Sequence, residues 1–285
     1  MLNWNKDDIE QRFGIRGKKF TDCSMTFTAL AGLVFTLFFY LILYFFRDKS
    51  EYVAMFFHGG RMNRSYIPYF TVFFGMWSVA ILWVKTKKLQ LQEAALKINI
   101  LPDDGDFVLT PMTAAKVLAN LHQVVNNPGD FILFNRVQRS LANLKNIGRV
   151  SDAVAVMSAQ AEIDEENSES SYLAVKGFIW AIPVLGFIGT VLGLAAAVGG
   201  FGSVISSGAE LDEIKGALSG VTGGLAVAFE TTLIALVIAL IIQLWLIGVK
   251  KREEDFLQGC SDYCHKNIIA KIKTYAEESG NTPEV

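Results

Sequence analysis

The sequence predicts an all-α membrane protein with four transmembrane helices and long cytoplasmic helical extensions. Three observations predict it. Hydrophobic residues make up 52% of the 285 and charged residues only 19%, against about 25% charge in a soluble domain of this size. The missing charge has been removed from a few long runs and is not thinned evenly. Between those runs the chain shows helix caps and helical apolar spacing, with no strand-hairpin signal and no internal repeat.

Crossing roughly 30 Å of hydrocarbon takes about 20 mainly apolar residues. Four segments qualify: Met25–Phe46, Tyr66–Val84, Gly177–Gly200, and a stretch between Lys215 and Lys250. The first is too long, and wrongly flanked, for a cleaved signal peptide, so it is expected to stay as an anchor. Four spans place both termini on one side. All but five of the 26 Lys and Arg lie in the N-terminus, in 85–176 or in the tail, the five being Arg47, Lys49, Arg61, Arg64 and Lys215. Near the spans, Lys85, Lys87, Lys88, Lys176, Lys250, Lys251 and Arg252 point the same way, against Arg47 and Lys49. The positive-inside rule then puts both termini in the cytoplasm.

The expected organisation is a cytoplasmic N-terminal segment (1–24), a peripheral hairpin of spans one and two (25–84) and a cytoplasmic helical domain (85–176). A second hairpin (177–249) and a cytoplasmic helical tail with a disordered end (250–285) follow. In 85–176, Thr110-Pro111 supplies a cap followed by proline at the first helical position. Val117, Leu118, Leu121, Val124 and Val125 then recur at helical spacing. Asp130 is placed to cap a second helix with Phe131, Leu133, Phe134, Val137 and Leu141 on its buried stripe. From Ser151 no breaker occurs before Pro183, which predicts one long helix entering span three. Its acidic stretch (Glu162, Asp164, Glu165, Glu166, Glu169) reads as a solvated face. The tail continues helically through Phe256, Tyr263, Ile268, Ile269 and Ile272 before the polar ESGNTPEV.

Span three places Gly189, Gly193 and Ala197 four apart, with Gly186 and Thr190 on the adjoining face. Span four repeats the device in Gly220, Gly224, Ala228, Thr232, Ala235 and Ala239. In lipid, small residues at this spacing let helix backbones approach closely. Spans one and two are instead full of Phe, Leu, Tyr and Trp, so the expectation is that three and four pack inside an assembly while one and two face lipid. Packing of the chain on itself is the other reading of the same glycines.

Near the middle of span four stand Glu230, Thr231 and Thr232. A carboxylate at bilayer depth costs several kcal/mol unless neutralised or paired, and marks ion or proton handling. By helical rise, Thr190 lies about 21 Å beyond Lys176 and Thr232 about 27 Å from Lys250, which brings the two hydroxyls to similar depth. Glu230 and Thr232 are about 200° apart around a helix. Either Thr232 lines a pathway and Glu230 faces a neighbouring helix, or the reverse. The spans hold no other acid, so a second acid is expected on another chain if ions cross here.

The motifs AIPVLGFIGTVLGL (181–194) and GGLAVAFETTLIALVIAL (223–240) resemble the MotA/TolQ/ExbB family of ion-channel motor subunits. The resemblance covers the last two spans closely and extends to the plan of four spans with a large segment between two and three. It implies a homopentameric ring around a pair of single-span MotB/ExbD/TolR-like partners, whose intramembrane aspartate binds and releases the ion. It implies pathway threonines at Thr190 and at Thr232 or Thr231. It makes Gly186, Gly189, Gly193, Gly220, Gly224 and Ala228 packing positions of the ring's inner wall. Where the family carries an acid about five residues before the fourth-span threonine, this chain has Val227, with its acid at Glu230.

The function implied is an ion-channel subunit, for protons rather than sodium, of a rotary ion-motive-force-driven machine in a bacterial inner membrane. The alternative is a non-conducting oligomeric scaffold for a partner. A net charge of −2 without a strongly basic domain argues against nucleic acid. Three cysteines exclude a disulfide scaffold. Cys260, Cys264 and His265 lack a fourth ligand for zinc. No nucleophile elbow, phosphate loop or metalloprotease motif occurs, so no enzyme activity, metal or cofactor is expected. His58 and His122 stand singly, Glu210, Asp212 and Glu213 read as a solvated loop or a cation-concentrating mouth, and Trp77, Trp83 and Trp245 read as interface anchors.

Overall fold

A computed structural model describes residues 2–4, 8–12, 14, 20–47, 49, 53, 56–57, 66–101, 108–142, 150–206 and 210–272. His58, Arg61, Arg64 and the polar end beyond 272 lie outside the described residues. The main elements are α1 (Met25–Phe46), α2 (Ile67–Ala95), α3 (Pro111–Val124), α4 (Ile132–Ala142), α5 (Val150–Ser171), α6 (Leu173–Ser206) and α7 (Leu211–Asn267). By length and composition, α1, α2, the α5–α6 run and α7 can each cross a membrane, and the chain is an all-α membrane protein. Two small exceptions to all-α stand beside this. Leu2–Asn3 (β1) pairs in parallel with Val125–Asn126 (β2), and Leu109 bridges to Ile272.

The expected single helix into span three is interrupted at one residue. Tyr172 bonds back three residues to the Glu169 carbonyl at 3.2 Å, and α6 then runs through Pro183 to Ser206. Proline offers no N–H to the carbonyl of Ile179.

The chain divides into two compact units. The first comprises 1–27, 83–172 and 248–285. Its α3 starts as the sequence indicates: Thr110 caps it in a reciprocal box with Thr113, with proline in the first turn. Val117, Leu121 and Val125 are buried, while Val124 faces outward. In α4 Leu133, Phe134, Val137 and Leu141 are all buried. The amide of Ile132 opening that helix donates to Gln92 Oε1 at 3.0 Å, and Gln92 Nε2 donates to the Asp130 carbonyl at 2.9 Å. The start of α4 is therefore held by a side chain from α2.

Ion pairs run through this unit. Lys85 and Glu253 are each 1% exposed and lie 3.3 Å apart. Glu253 also accepts the hydroxyls of Thr21 and Tyr172. Lys85 donates to Ser171 Oγ at 2.8 Å and sits 4.2 Å from the Tyr172 ring centroid. Lys88 pairs with Glu10 at 2.6 Å and faces Asp8 at 3.8 Å. Burial pushes the Asp8 carboxyl above its usual range, with Lys88 acting the other way. The sequence reading counts Lys85 and Lys88 as basic flanks of span two, whereas the structure buries both as ion-pair partners. Asp164 likewise leaves the solvated acidic face, buried against Arg136 at 2.5 Å.

The second unit comprises 28–82 and 173–247, and here α2 touches every other span. A Cβ on Gly32 of α1 would lie 2.7 Å from the Trp77 backbone, and one on Gly75 would lie 2.7 Å from Ile238 of α7. Trp77 packs against Phe178 of α6 in a tilted ring pair at 4.7 Å and donates to Thr28 at 3.3 Å. Within the chain it is a packing residue that joins α1, α2 and α6. Of the most apolar stretch of α2, 56% is buried, against 6% in α1, 17% in the α5–α6 run and 33% in α7. Within this chain α1 is therefore the most exposed of the spans and α2 the most covered. The small residues of α6 and α7 occupy one stripe each and leave Phe187, Val191, Leu194, Leu233, Leu236 and Leu240 exposed on this chain.

Removing one partner of a buried ion pair leaves an uncompensated charge. Glu253→Ala is expected to destabilise the protein by about 3–5 kcal/mol. The joint change of Lys85→Met and Glu253→Leu is expected to recover most of that loss. Chemical denaturation in detergent compares the three proteins, and a single variant as stable as the parent would refute the account.

Candidate functional site: the hydroxyl seam of spans three and four

The site lies in the second unit, where α6 meets α7. Their approach is set by glycines. A Cβ on Gly186 would lie 2.6 Å from Ala235 Cβ, one on Gly189 2.5 Å from Thr231 Oγ1, one on Gly193 3.0 Å from Ala228 Cβ, and one on Gly224 2.8 Å from Ala197 Cβ. Five of the six predicted packing positions (Gly186, Gly189, Gly193, Gly224 and Ala228) thus close the seam within one chain. Gly220 meets nothing within 4 Å. It lines an open groove of about 410 Å³ between α6 and α7, together with Gly193, Ala197, Gly200, Gly216 and Gly224.

This close approach lets short side chains reach across. The hydroxyls of Thr190 and Thr232 bond to each other, so the two residues placed at similar depth by helical rise do meet. Thr232 Oγ1 donates to the Gly186 carbonyl at 2.9 Å. Thr190 Oγ1 lies 3.2 Å from the Ala228 carbonyl and 3.3 Å from that of Gly186. Thr231, only 4% exposed, donates to the same Ala228 carbonyl at 2.8 Å. Three threonines and two backbone carbonyls therefore form one connected cluster. Each hydroxyl has a single proton and two lone pairs, so the cluster holds more acceptor capacity than it uses. That is the composition needed to replace part of the water around a small cation or to hold a proton-bearing water in low dielectric.

Glu230 is half-buried on the same helix. Thr232 turns toward Thr190 of α6, about 200° around the helix from Glu230. Thr231, about 100° from each of its neighbours around the helix, fills the notch left by Gly189.

The remaining candidates fall outside this seam. Cys260 and Cys264 are buried in the first unit, and burial pushes their thiols up to about 12 and about 11. His265 is exposed. Glu210, Asp212 and Glu213 are exposed, with Asp212 pairing to Lys215 at 3.3 Å. His122 hydrogen-bonds the Leu118 carbonyl of its own helix at 2.8 Å. What sequence reasoning missed is the part played by α2, whose signal is the lone Gly75 in an otherwise bulky span.

The glycine contacts differ enough to be separated by substitution. Gly189→Ala is expected to lower stability by about 1–3 kcal/mol through overpacking against Thr231. Gly220→Ala, which meets open space, is expected to leave the isolated chain unchanged or stabilise it by up to about 1 kcal/mol through helix propensity. Thermal unfolding in detergent reads both, and equal effects would contradict the contact assignment.

Comparison with curated proteins finds no match, and neither does comparison with solved structures. A family model does match, over residues 125–258, and it describes the MotA/TolQ/ExbB proton channel family. The matched region holds both quoted motifs and the whole hydroxyl seam. The family is one of proton channels rather than enzymes. Residues 125–258 of the chain are thus similar to the MotA/TolQ/ExbB proton channel family.

Proposed function

We propose that this chain is the ion-conducting subunit, for protons, of a rotary machine driven by ion-motive force in a bacterial inner membrane. The observation that carries the reading is the paired Thr190 and Thr232 hydroxyls, set at mid-span depth inside the segment that matches a proton channel family. In this reading five copies form a ring around a dimer of a single-span MotB/ExbD/TolR-like subunit. Both termini face the cytoplasm. The partner supplies an intramembrane aspartate, which answers the need for a second acid beside Glu230. Thr190, Thr231 and Thr232 offer neutral oxygens to the ion as the aspartate takes up and releases it.

The second reading, a non-conducting scaffold, draws on the satisfaction of the threonine hydroxyls by one another and by helix carbonyls. In that case the seam is only a helix-packing device. The two readings diverge under substitution. Replacing Thr190 and Thr232 together by valine is expected to preserve membrane assembly and to cut proton flux by at least about tenfold, the factor worth one hydrogen bond. Flux is followed with a pH-sensitive dye in cells producing the native complex. Normal flux in a well-assembled double variant, together with a silent Glu230→Gln, would establish the scaffold instead.

A further inference from the structure

Thr71 lies on α2, outside the segment that matches the family model. It is 1% exposed, and its Oγ1 has no hydrogen-bond partner among the described residues. The Tyr40 hydroxyl of the second unit is likewise without a partner among the described residues, while several shorter hydroxyls there are satisfied. Thr36 donates to the Gly32 carbonyl, Ser78 to that of Phe74, and Thr231 to that of Ala228, each at 2.8 Å. A buried hydroxyl left unpaired costs about 1–3 kcal/mol. Valine has nearly the same shape and avoids that cost, so packing alone does not account for threonine at this position.

The register of α2 says what Thr71 faces. One turn before it, Ile67 Cδ1 comes within 3.4 Å of where a Gly189 Cβ would be, a position that also meets Thr231 Oγ1. One turn after it, Gly75 packs on Ile238 of α7. Residues four apart share a helix face, so Thr71 points into the junction of α2, α6 and α7. Its level falls between Thr231 and Ile238, about one helical turn, roughly 5.4 Å, beyond Thr231 toward the Lys250 end. Thr231 in turn shares the Ala228 carbonyl with Thr190. A row of oxygens thus leads from the Thr190–Thr232 pair through Ala228 and Thr231 toward an unpaired hydroxyl on a third helix.

We infer that Thr71 is a further pathway residue, contributed by span two, whose hydroxyl is paired only when a hydrated proton or small hydrated cation occupies the junction. It offers such an ion a neutral oxygen and donates a hydrogen bond through its O–H to the accompanying water, so the hydroxyl keeps its proton and no covalent bond changes. The inference rests on the conducting reading proposed above and extends it from two helices to three.

The test uses the full-length chain in cells that make the native complex, with proton flux read by a pH-sensitive dye and stability read by thermal unfolding of the purified chain. Thr71→Val is expected to reduce flux by about tenfold, the factor worth one hydrogen bond, without lowering the unfolding midpoint. Thr71→Ser, which keeps the hydroxyl, is expected to conduct like the parent. Should Thr71→Val fail to accumulate, Thr71→Ala against Thr71→Ser gives the same contrast. Parental flux in Thr71→Val, while the Thr190 and Thr232 double valine variant abolishes flux, would overturn this inference and leave the two-helix pathway standing. Parental flux in both would overturn the conducting reading itself. Equal loss in the serine and valine variants would assign Thr71 to packing and overturn the inference.

Discussion

A single buried carboxylate ties together the ends of the spans. Glu253 receives the hydroxyls of Thr21 and Tyr172 and the ammonium of Lys85. In sequence these lie just before span one, just before span three and just after span two, while Glu253 follows span four. Desolvating such a charge costs several kcal/mol unless its partners are in place. The carboxylate is therefore tolerable only when all four segments have arrived together. The Lys88–Glu10 pair and the Gln92 cap on α4 extend the same logic, since each satisfies a buried polar group with a side chain from a distant part of the chain.

The membrane-spanning unit obeys a different constraint. Water is expelled from neither side when two lipid-facing helices meet, so contact rests on fit and on hydrogen bonds. Gly186, Gly189, Gly193 and Gly224 provide the fit between α6 and α7. Only at that separation do the hydroxyls of Thr190 and Thr232 reach each other. Packing and candidate chemistry are thus one arrangement, and the glycines position the site as much as the threonines compose it.

Much of this was legible in the sequence because its causes are local. The four apolar runs, the Thr110-Pro111 start of α3, and the Leu133, Phe134, Val137 and Leu141 stripe each depend on neighbours a few residues away. The similar depth of Thr190 and Thr232 was legible from helical rise, while their direct bond emerges only from the glycine-set approach of the two helices. The central place of α2 was not legible. Its buried face and a lipid-exposed face are both apolar, and hydropathy does not separate them. The pairing of the lysines at 85 and 88 was hidden for a related reason. Basic residues after a span ordinarily reach for the membrane surface, and their acids, Glu253 and Glu10, are far away in the chain. Asp164 escaped notice because its run of acidic neighbours is exposed and its partner Arg136 lies on another helix.

The chemistry of the seam also bears on how the protein would respond to its surroundings. Threonine hydroxyls and backbone carbonyls neither gain nor lose charge across the acidity range of a living cell. In the conducting reading, no group of the Thr190–Thr232 cluster itself would change charge as the acidity on either side of the membrane varies. In that reading the seam would serve as a fixed, uncharged surface.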